Sequence, residues 1–146
     1  MNAISAEGTI YGCIFGGGPR GLEMNKFFVL NKTVIEALPE KLDWDSALLT
    51  KGTFTVPMHD RDDFYRNQMI HFGASFNHLD LHWQKWLNEF EVLLRRLFWF
   101  EAHVHMEAEL YGTYDYHWQA NTGPMFLHPP KPIEKWEFEG GPRSFE

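Results

Sequence analysis

The strongest pattern in the chain is an alternation of apolar and polar residues over positions 98–111. The even positions are all apolar: Phe98, Phe100, Ala102, Val104, Met106, Ala108 and Leu110. The odd positions carry Trp99, Glu101, His103, His105, Glu107, Glu109 and Tyr111. Successive side chains leave a strand on opposite faces, so this alternation predicts a long strand with one face in a core. We call the odd positions the Glu/His stripe and expect the function of the protein there.

A second pattern, at residues 80–97, has the spacing of an amphipathic helix. Its apolar residues recur at intervals of three and four and share one helix face: Trp83, Trp86, Leu87, Phe90, Leu93, Leu94 and Leu97. Asp80 is a suitable N-cap, and Glu91 with Arg95 forms a favourable i,i+4 pair. We predict one long helix whose apolar face packs on the apolar face of a sheet.

Shorter segments predict the remaining elements of an α+β fold. Alternation or aromatic and β-branched content predicts strands at 9–15, 26–30, 47–56, 69–76 and 114–119. The first two are expected to form a hairpin, and Asn31 is expected to cap a short helix at 32–38. The predicted architecture is a curved, mostly antiparallel sheet with the helix at 80–97 packed on its apolar face.

The turn after the Glu/His stripe decides which residues join it. A two-residue loop places Tyr114, Tyr116 and Trp118 beside the stripe, whereas a three-residue loop places Asp115, His117 and Gln119 there. We favour the three-residue loop, with Gly112 in the left-handed conformation of a bulged turn, because hydrophobic matching of the two strands sets their register. The stripe then gains Asp115 and His117.

The character of the chain changes near its end. Residues 1–127 are expected to form one globular domain, and 128–146 a Pro-rich spacer followed by a strand or tail of the same domain. Trp136 and Phe138 alternate with charged residues. An exposed strand of this kind is expected to pair with a sheet edge, either its own or that of a second subunit in a homodimer. A frayed tail is the alternative.

Charge and cysteine content narrow the function. The net charge is -7 at pH 7, which argues against nucleic-acid binding because phosphates need a basic surface. Between Arg96 and Lys131 there is no Lys or Arg, so an acidic surface that binds a basic protein is expected.

Cys13 is the single cysteine; this excludes an intramolecular disulfide and indicates a cytoplasmic protein. We see neither a signal peptide nor a membrane segment.

The Glu/His stripe also permits a metal site. Imidazoles at i and i+2 lie about 6.5–7 Å apart on one strand face and can reach one ion. The string HVHMEAE resembles the core of the cupin signature, His-x-His followed by Glu. The resemblance covers seven residues and implies that His103, His105 and Glu109 bind Zn or another divalent transition metal. The flanking glycines of that signature and its second motif are absent.

Other candidate motifs have structural interpretations. Gly16-x-Gly18-x-x-Gly21 is interrupted by Pro19 and predicts a hairpin loop rather than a dinucleotide site. Cys13 is expected to pack in a strand, and no serine lies in a nucleophile motif.

We therefore expect a cofactor-free, non-enzymatic binding protein that neutralises or escorts a basic partner, similar to immunity proteins and antitoxins in composition only. Trp99 is the aromatic residue expected to be exposed, and the Glu/His stripe with Asp115 and His117 is the expected interface. The alternative is a metal-binding barrel or metal-dependent enzyme that uses His103, His105 and a nearby Glu.

Overall fold

The computed structural model describes residues 7–16, 24–43, 47–57, 68–108, 112–120 and 136–140. These form a six-stranded antiparallel sheet in the order β2-β3-β1-β4-β5-β6 and two helices. The strands are β1 (Glu7–Gly16), β2 (Phe54–Thr55), β3 (Gln68–Asn77), β4 (Trp99–Ala108), β5 (Gly112–Ala120) and β6 (Trp136–Gly140). The helices are α1 (Met24–Glu36) and α2 (Leu79–Leu94). The mixed helix-and-sheet class is confirmed; α2 occupies most of the predicted 80–97, and α1 begins well before the short helix predicted at 32–38.

The central strands follow the hydrophobic alternation. The strands predicted at 9–15, 69–76 and 114–119 are confirmed as β1, β3 and β5, and β4 occupies most of 98–111. β1 lies between β3 and β4 and pairs with both. Their even-numbered residues supply a buried core that includes Ile10, Ile14, Ile70, Val104, Met106, Tyr116 and Trp118. Burial of these side chains fixes the register, since a slip of one residue would expose them all.

Helix α2 covers this core with aromatic side chains. The ring of Phe90 lies 5.3 Å from that of Phe72 on β3 and 5.1 Å from that of Trp118 on β5. At Gly8 of β1 any Cβ would collide with Leu79 of α2, so the close approach of helix and sheet requires glycine there. The helix begins at Leu79 with His78, not Asp80, as its N-cap. Among the described residues, neither helix combines the length and apolar character needed to span a membrane.

The prediction of an N-terminal hairpin is wrong, because residues 26–30 belong to α1. Phe28, Asn31 and Ile35 are buried on one face of this helix, whereas Val29 and Leu30 are exposed. The apolar run has high strand propensity, but its buried positions are spaced by three and four residues, so tertiary packing decides its structure. Residues 32–36 of the predicted short helix are the second half of α1.

Asn31 is not a helix cap but the centre of a buried hydrogen-bond network. Its Nδ2 donates to Phe98 O at 2.9 Å and to Gln68 Oε1 at 3.2 Å, while its Oδ1 accepts from Phe98 N at 2.8 Å. Gln68 Nε2 donates in turn to Phe28 O and Pro57 O. Both amide side chains are fully buried. The network joins α1, β3 and the connection between α2 and β4.

The strand predicted at 47–56 is largely wrong. Only Phe54 and Thr55 form a strand, after a short 3₁₀ turn at Lys51–Thr53. Leu48 and Leu49 are both buried although they are neighbours, which a half-buried strand does not allow. Leu48 N donates to Glu89 Oε1 of α2 at 2.9 Å instead of to another strand.

The C-terminal segment adds a sixth strand to its own sheet. Pairing with its own sheet edge was one of the two possibilities that the sequence left open. β6 pairs with β5, with Phe138 opposite Trp118. The Phe138 ring is 5.2 Å from the Trp118 ring and 6.1 Å from the Tyr116 ring. The predicted spacer that begins at residue 128 lies outside the described residues, and a homodimer stays a prediction.

We predict that Phe138→Ala lowers the free energy of unfolding by about 1–3 kcal/mol, less than for a fully buried Phe because this ring is half-buried. Urea unfolding of the full chain measures this change. Glu137→Ala, on the exposed face of the same strand, is the matched control and should change stability by less than about 0.5 kcal/mol. Equal stability of the two variants would show that β6 is not docked.

The Asn31 network gives a second prediction. Asn31→Ala leaves the backbone N–H and C=O of Phe98 unpaired in the interior and should cost at least about 2 kcal/mol in unfolding free energy. Thr33→Ala, which removes an exposed hydroxyl bonded to Val29 O, should be within about 0.5 kcal/mol of the parent. A stability loss for Asn31→Ala no larger than that of the control would contradict the network.

Candidate functional site

The face of the sheet opposite α2 is formed by odd-numbered side chains and is not covered by either described helix. We call it the open face: the odd-numbered residues of β1, β3, β5 and β6, and those of β4 from Glu101 onward. None of these residues is buried. The part of the Glu/His stripe from Glu101 to Glu107 therefore lies near the middle of the open face, between β1 and β5.

The charge of the open face has one sign. Its carboxylates are Glu7, Glu101, Glu107, Asp115, Glu137 and Glu139, and its imidazoles are His71, His103, His105 and His117. Across all six described strands there is no Lys or Arg. The six carboxylates therefore give this face a negative potential.

The pairing of β4 with β5 confirms the three-residue register. Ala108 lies opposite Gly112, His105 opposite Asp115 and His103 opposite His117. Gly112 has φ of 96°, the left-handed conformation that glycine adopts without strain. Asp115 and His117 therefore join Glu101, His103, His105 and Glu107, as predicted. Glu109 and Tyr111 lie outside the described residues.

Trp99 is not on the open face, and its predicted exposure is wrong. Gly16 pairs with Trp99 but Phe15 pairs with Glu101, so Phe100 is an extra residue in a β-bulge. A bulge reverses the alternation on one side of it. Trp99 is consequently 1% exposed, and its Nε1 donates to Leu94 O at 2.8 Å near the end of α2.

His105 lies between two carboxylates. Its Nδ1 is 2.7 Å from Asp115 Oδ1, and its Nε2 is 3.1 Å from Glu107 Oε1. The Tyr11 ring lies 4.8 Å from the imidazole. Only the protonated ring can donate from both nitrogens. The hydrogen bond to Asp115 above all, together with that to Glu107, therefore raises the pKa of His105, against a smaller opposing effect of burial.

A second group on the open face contains Glu101, His103 and His117. Glu101 Oε2 is 3.3 Å from His103 Nε2 and 3.7 Å from His117 Nε2. The two imidazoles are stacked, with centroids 4.3 Å apart and planes inclined by 15°. One potential ligand atom from each residue lies within 4.8 Å of the other two. The structure thus brings together a group with metal-binding potential, but His105 is not part of it.

A groove of about 600 Å³ runs along the centre of the open face. Its side chains come from β1, β4, β5 and β6: Tyr11, Cys13, Phe15, His103, His105, Asp115, His117 and Glu139. This volume is within the range of ligand pockets, about 300–1,000 Å³. The groove is therefore large enough for a side chain of a partner or for a small ligand.

The sequence interpretation missed the contribution of β1 and β6 to this groove. Cys13 lies in a strand, as expected, but it is half-buried on the open face, where burial raises the pKa of its thiol. Tyr11 is 46% exposed. The alternation of Tyr11, Cys13 and Phe15 with Ile10 and Ile14 was the available signal, because it assigns those three residues to the uncovered face.

The raised pKa of His105 predicts a pH-dependent contribution to stability. Protonated His105 stabilises the fold below the ordinary His pKa of about 6.5, and this contribution is lost as pH rises through the raised folded-state pKa. Asp115→Asn removes the carboxylate whose hydrogen bond contributes most to the raised pKa of His105. We expect it to lower the pKa of His105 in an NMR titration of the ring protons with EDTA present.

Urea unfolding of Asp115→Asn and the parent should then differ most near pH 5.5–6 and least near pH 8.5, by the same linkage. Glu139→Gln removes a carboxylate of the same face that is not bonded to His105 and serves as the control. An unchanged His105 pKa in Asp115→Asn would contradict the arrangement.

Comparison with known proteins does not assign a function to this site. No family model, no curated protein and no solved structure matches the chain. The function of the open face is therefore inferred from its own residues, distances and charges.

Proposed function

We propose that this protein is a cytoplasmic, non-enzymatic binding protein that neutralises or escorts a basic partner protein through the open face. The observation that carries the proposal is the composition of the described strands, which place six carboxylates on this face and contain no Lys or Arg. A surface of one charge sign speeds the encounter with a partner of the opposite sign and disfavours acidic competitors.

The shape of the face supports the same proposal. The groove is lined both by carboxylates, Asp115 and Glu139, and by exposed or half-exposed rings, Tyr11 and Phe15. A Lys or Arg side chain fits such a site, because its charged head pairs with carboxylates while its stem packs on an aromatic ring. Buried anchors of this kind supply most of the binding energy at interfaces, and the surrounding charges mainly set rate and specificity.

A charge-reversal experiment tests the proposal. Glu137→Lys combined with Glu139→Lys should slow association with the partner by about tenfold or more and weaken its dependence on salt. Both residues are exposed on the open face, so the melting temperature should be almost unchanged. Glu36→Lys combined with Glu40→Lys is the control, because it makes the same change in net charge at exposed residues outside the open face.

The partner is captured from the native host with the parent protein and both double variants as baits, and is identified by mass spectrometry. Surface plasmon resonance then measures association rates across ionic strengths. We expect a basic protein that the parent and the control variant retain and that the open-face variant loses. A captured protein that is acidic, or one that binds the open-face variant at the parental rate, would overturn the proposal.

A further inference from the structure

We propose that Glu101, His103 and His117 form a binding site for a divalent transition-metal ion, with Zn²⁺ as the best match. The site uses two strands, since Glu101 and His103 lie on β4 and His117 lies opposite His103 on β5. It differs from the His-x-His set, because His105 is excluded and the second imidazole comes from the neighbouring strand. The proposal is independent of the basic partner.

The separations between the donor atoms fit a zinc ion. Tetrahedral Zn²⁺ with bonds of about 2.0–2.1 Å holds its ligand atoms about 3.3–3.4 Å apart. Glu101 Oε2 lies 3.3 Å from His103 Nε2 and 3.7 Å from His117 Nε2. All three ligand atoms lie within 4.8 Å of one another, so rotation of the side chains can bring the carboxylate and both imidazoles to one ion.

The stacked rings must change their relative orientation when the ion binds. Nitrogen lone pairs lie in the ring plane, and the planes of His103 and His117 are inclined by only 15°, so they do not yet meet at one point. The side chains have room for the rotation, since that of His103 is 51% exposed and that of His117 is 31% exposed. Metal binding is thus expected to turn one ring out of the stack.

An unsatisfied nitrogen is an independent sign of a ligand. Nε2 of His117 is buried and has no hydrogen-bond partner among the residues that the structure describes, although the rest of its side chain is partly exposed. Buried polar atoms in native proteins are nearly always paired with protein, water or an ion. This nitrogen faces Glu101 and is the atom that the proposed ion would engage.

The chemistry of the three ligands selects the ion. Two imidazoles and one carboxylate suit Zn²⁺ and related transition metals better than Mg²⁺ or Ca²⁺, which prefer oxygen ligands. Three protein ligands leave the fourth zinc position for water or another molecule. His103 and His117 line the groove, so that position has access to it.

His105 is unavailable to this ion because its two nitrogens already bond Asp115 and Glu107. Extracting it would break two charge-assisted hydrogen bonds. The exclusion of His105 distinguishes the cross-strand site from the one that the cupin-like string implied, and it defines the control.

The test is isothermal titration calorimetry of the full, metal-free chain with zinc chloride at pH 7.5. We expect one Zn²⁺ per chain. Glu101→Gln and His117→Gln should each weaken binding by about 100-fold or more, since loss of even an outer partner of a ligand costs about 10- to 100-fold. His105→Gln and His71→Gln, on the same face, should retain the parental affinity within about threefold.

Two readouts on the parent protein keep the test independent of variant folding. On addition of Zn²⁺ the ring protons of His103 and His117 should shift in NMR spectra, whereas those of His71 should not. The Co²⁺ complex should show visible bands of nitrogen and oxygen ligands without an intense thiolate band. Absence of Zn²⁺ binding, equal loss in His105→Gln, parental affinity in His117→Gln, or a thiolate band from Cys13 would each overturn the proposed site.

Discussion

Burial of the even-numbered side chains against α2 is the constraint on which the rest of the structure depends. The contacts of Phe90 with Phe72 and Trp118 fix which face of the sheet meets the helix. Because strand side chains alternate, the same contacts fix which residues remain uncovered. The pairing of His103 with His117 and of His105 with Asp115 is therefore a consequence of core packing. No further interaction is needed to hold the residues of the open face in register.

The open face separates into two environments although its residues are similar. Asp115 and Glu107 hold His105 by two hydrogen bonds, which favour its charged form. The charged imidazole then partly offsets the local negative charge. Glu101 instead serves two imidazoles at longer distances, so neither His103 nor His117 is held as firmly. In the first arrangement both imidazole nitrogens are hydrogen-bonded, whereas in the second Glu101 bonds His103 and the Nε2 of His117 has no hydrogen-bond partner among the described residues. Both retain the negative potential that a cationic partner would meet.

Much of this arrangement could be predicted from the sequence, and the failures have physical causes. The alternation from Glu101 to Ala108 and the hydrophobic match with Tyr116 and Trp118 were sufficient to predict the β4–β5 register. The bulge at Phe100 was not predictable, because an extra residue in a strand leaves no signal in the pattern of apolar and polar residues. The bulge places Trp99 in the core. Residues 26–30 were mistaken for a strand because their propensity outweighed a short helical spacing that becomes clear only with Asn31 and Ile35 buried.

The central claim is that the open face is the preferred cation-binding surface of the protein. Titration of the ¹⁵N-labelled chain with a hexa-arginine peptide at low salt, followed by amide chemical shifts, tests this most directly. The shifts should concentrate on open-face residues such as Tyr11, His105 and Asp115, and should decline as salt screens the charges over about 8–10 Å. Shifts that are equally large at Glu36 and Glu40, outside the open face, would contradict the claim.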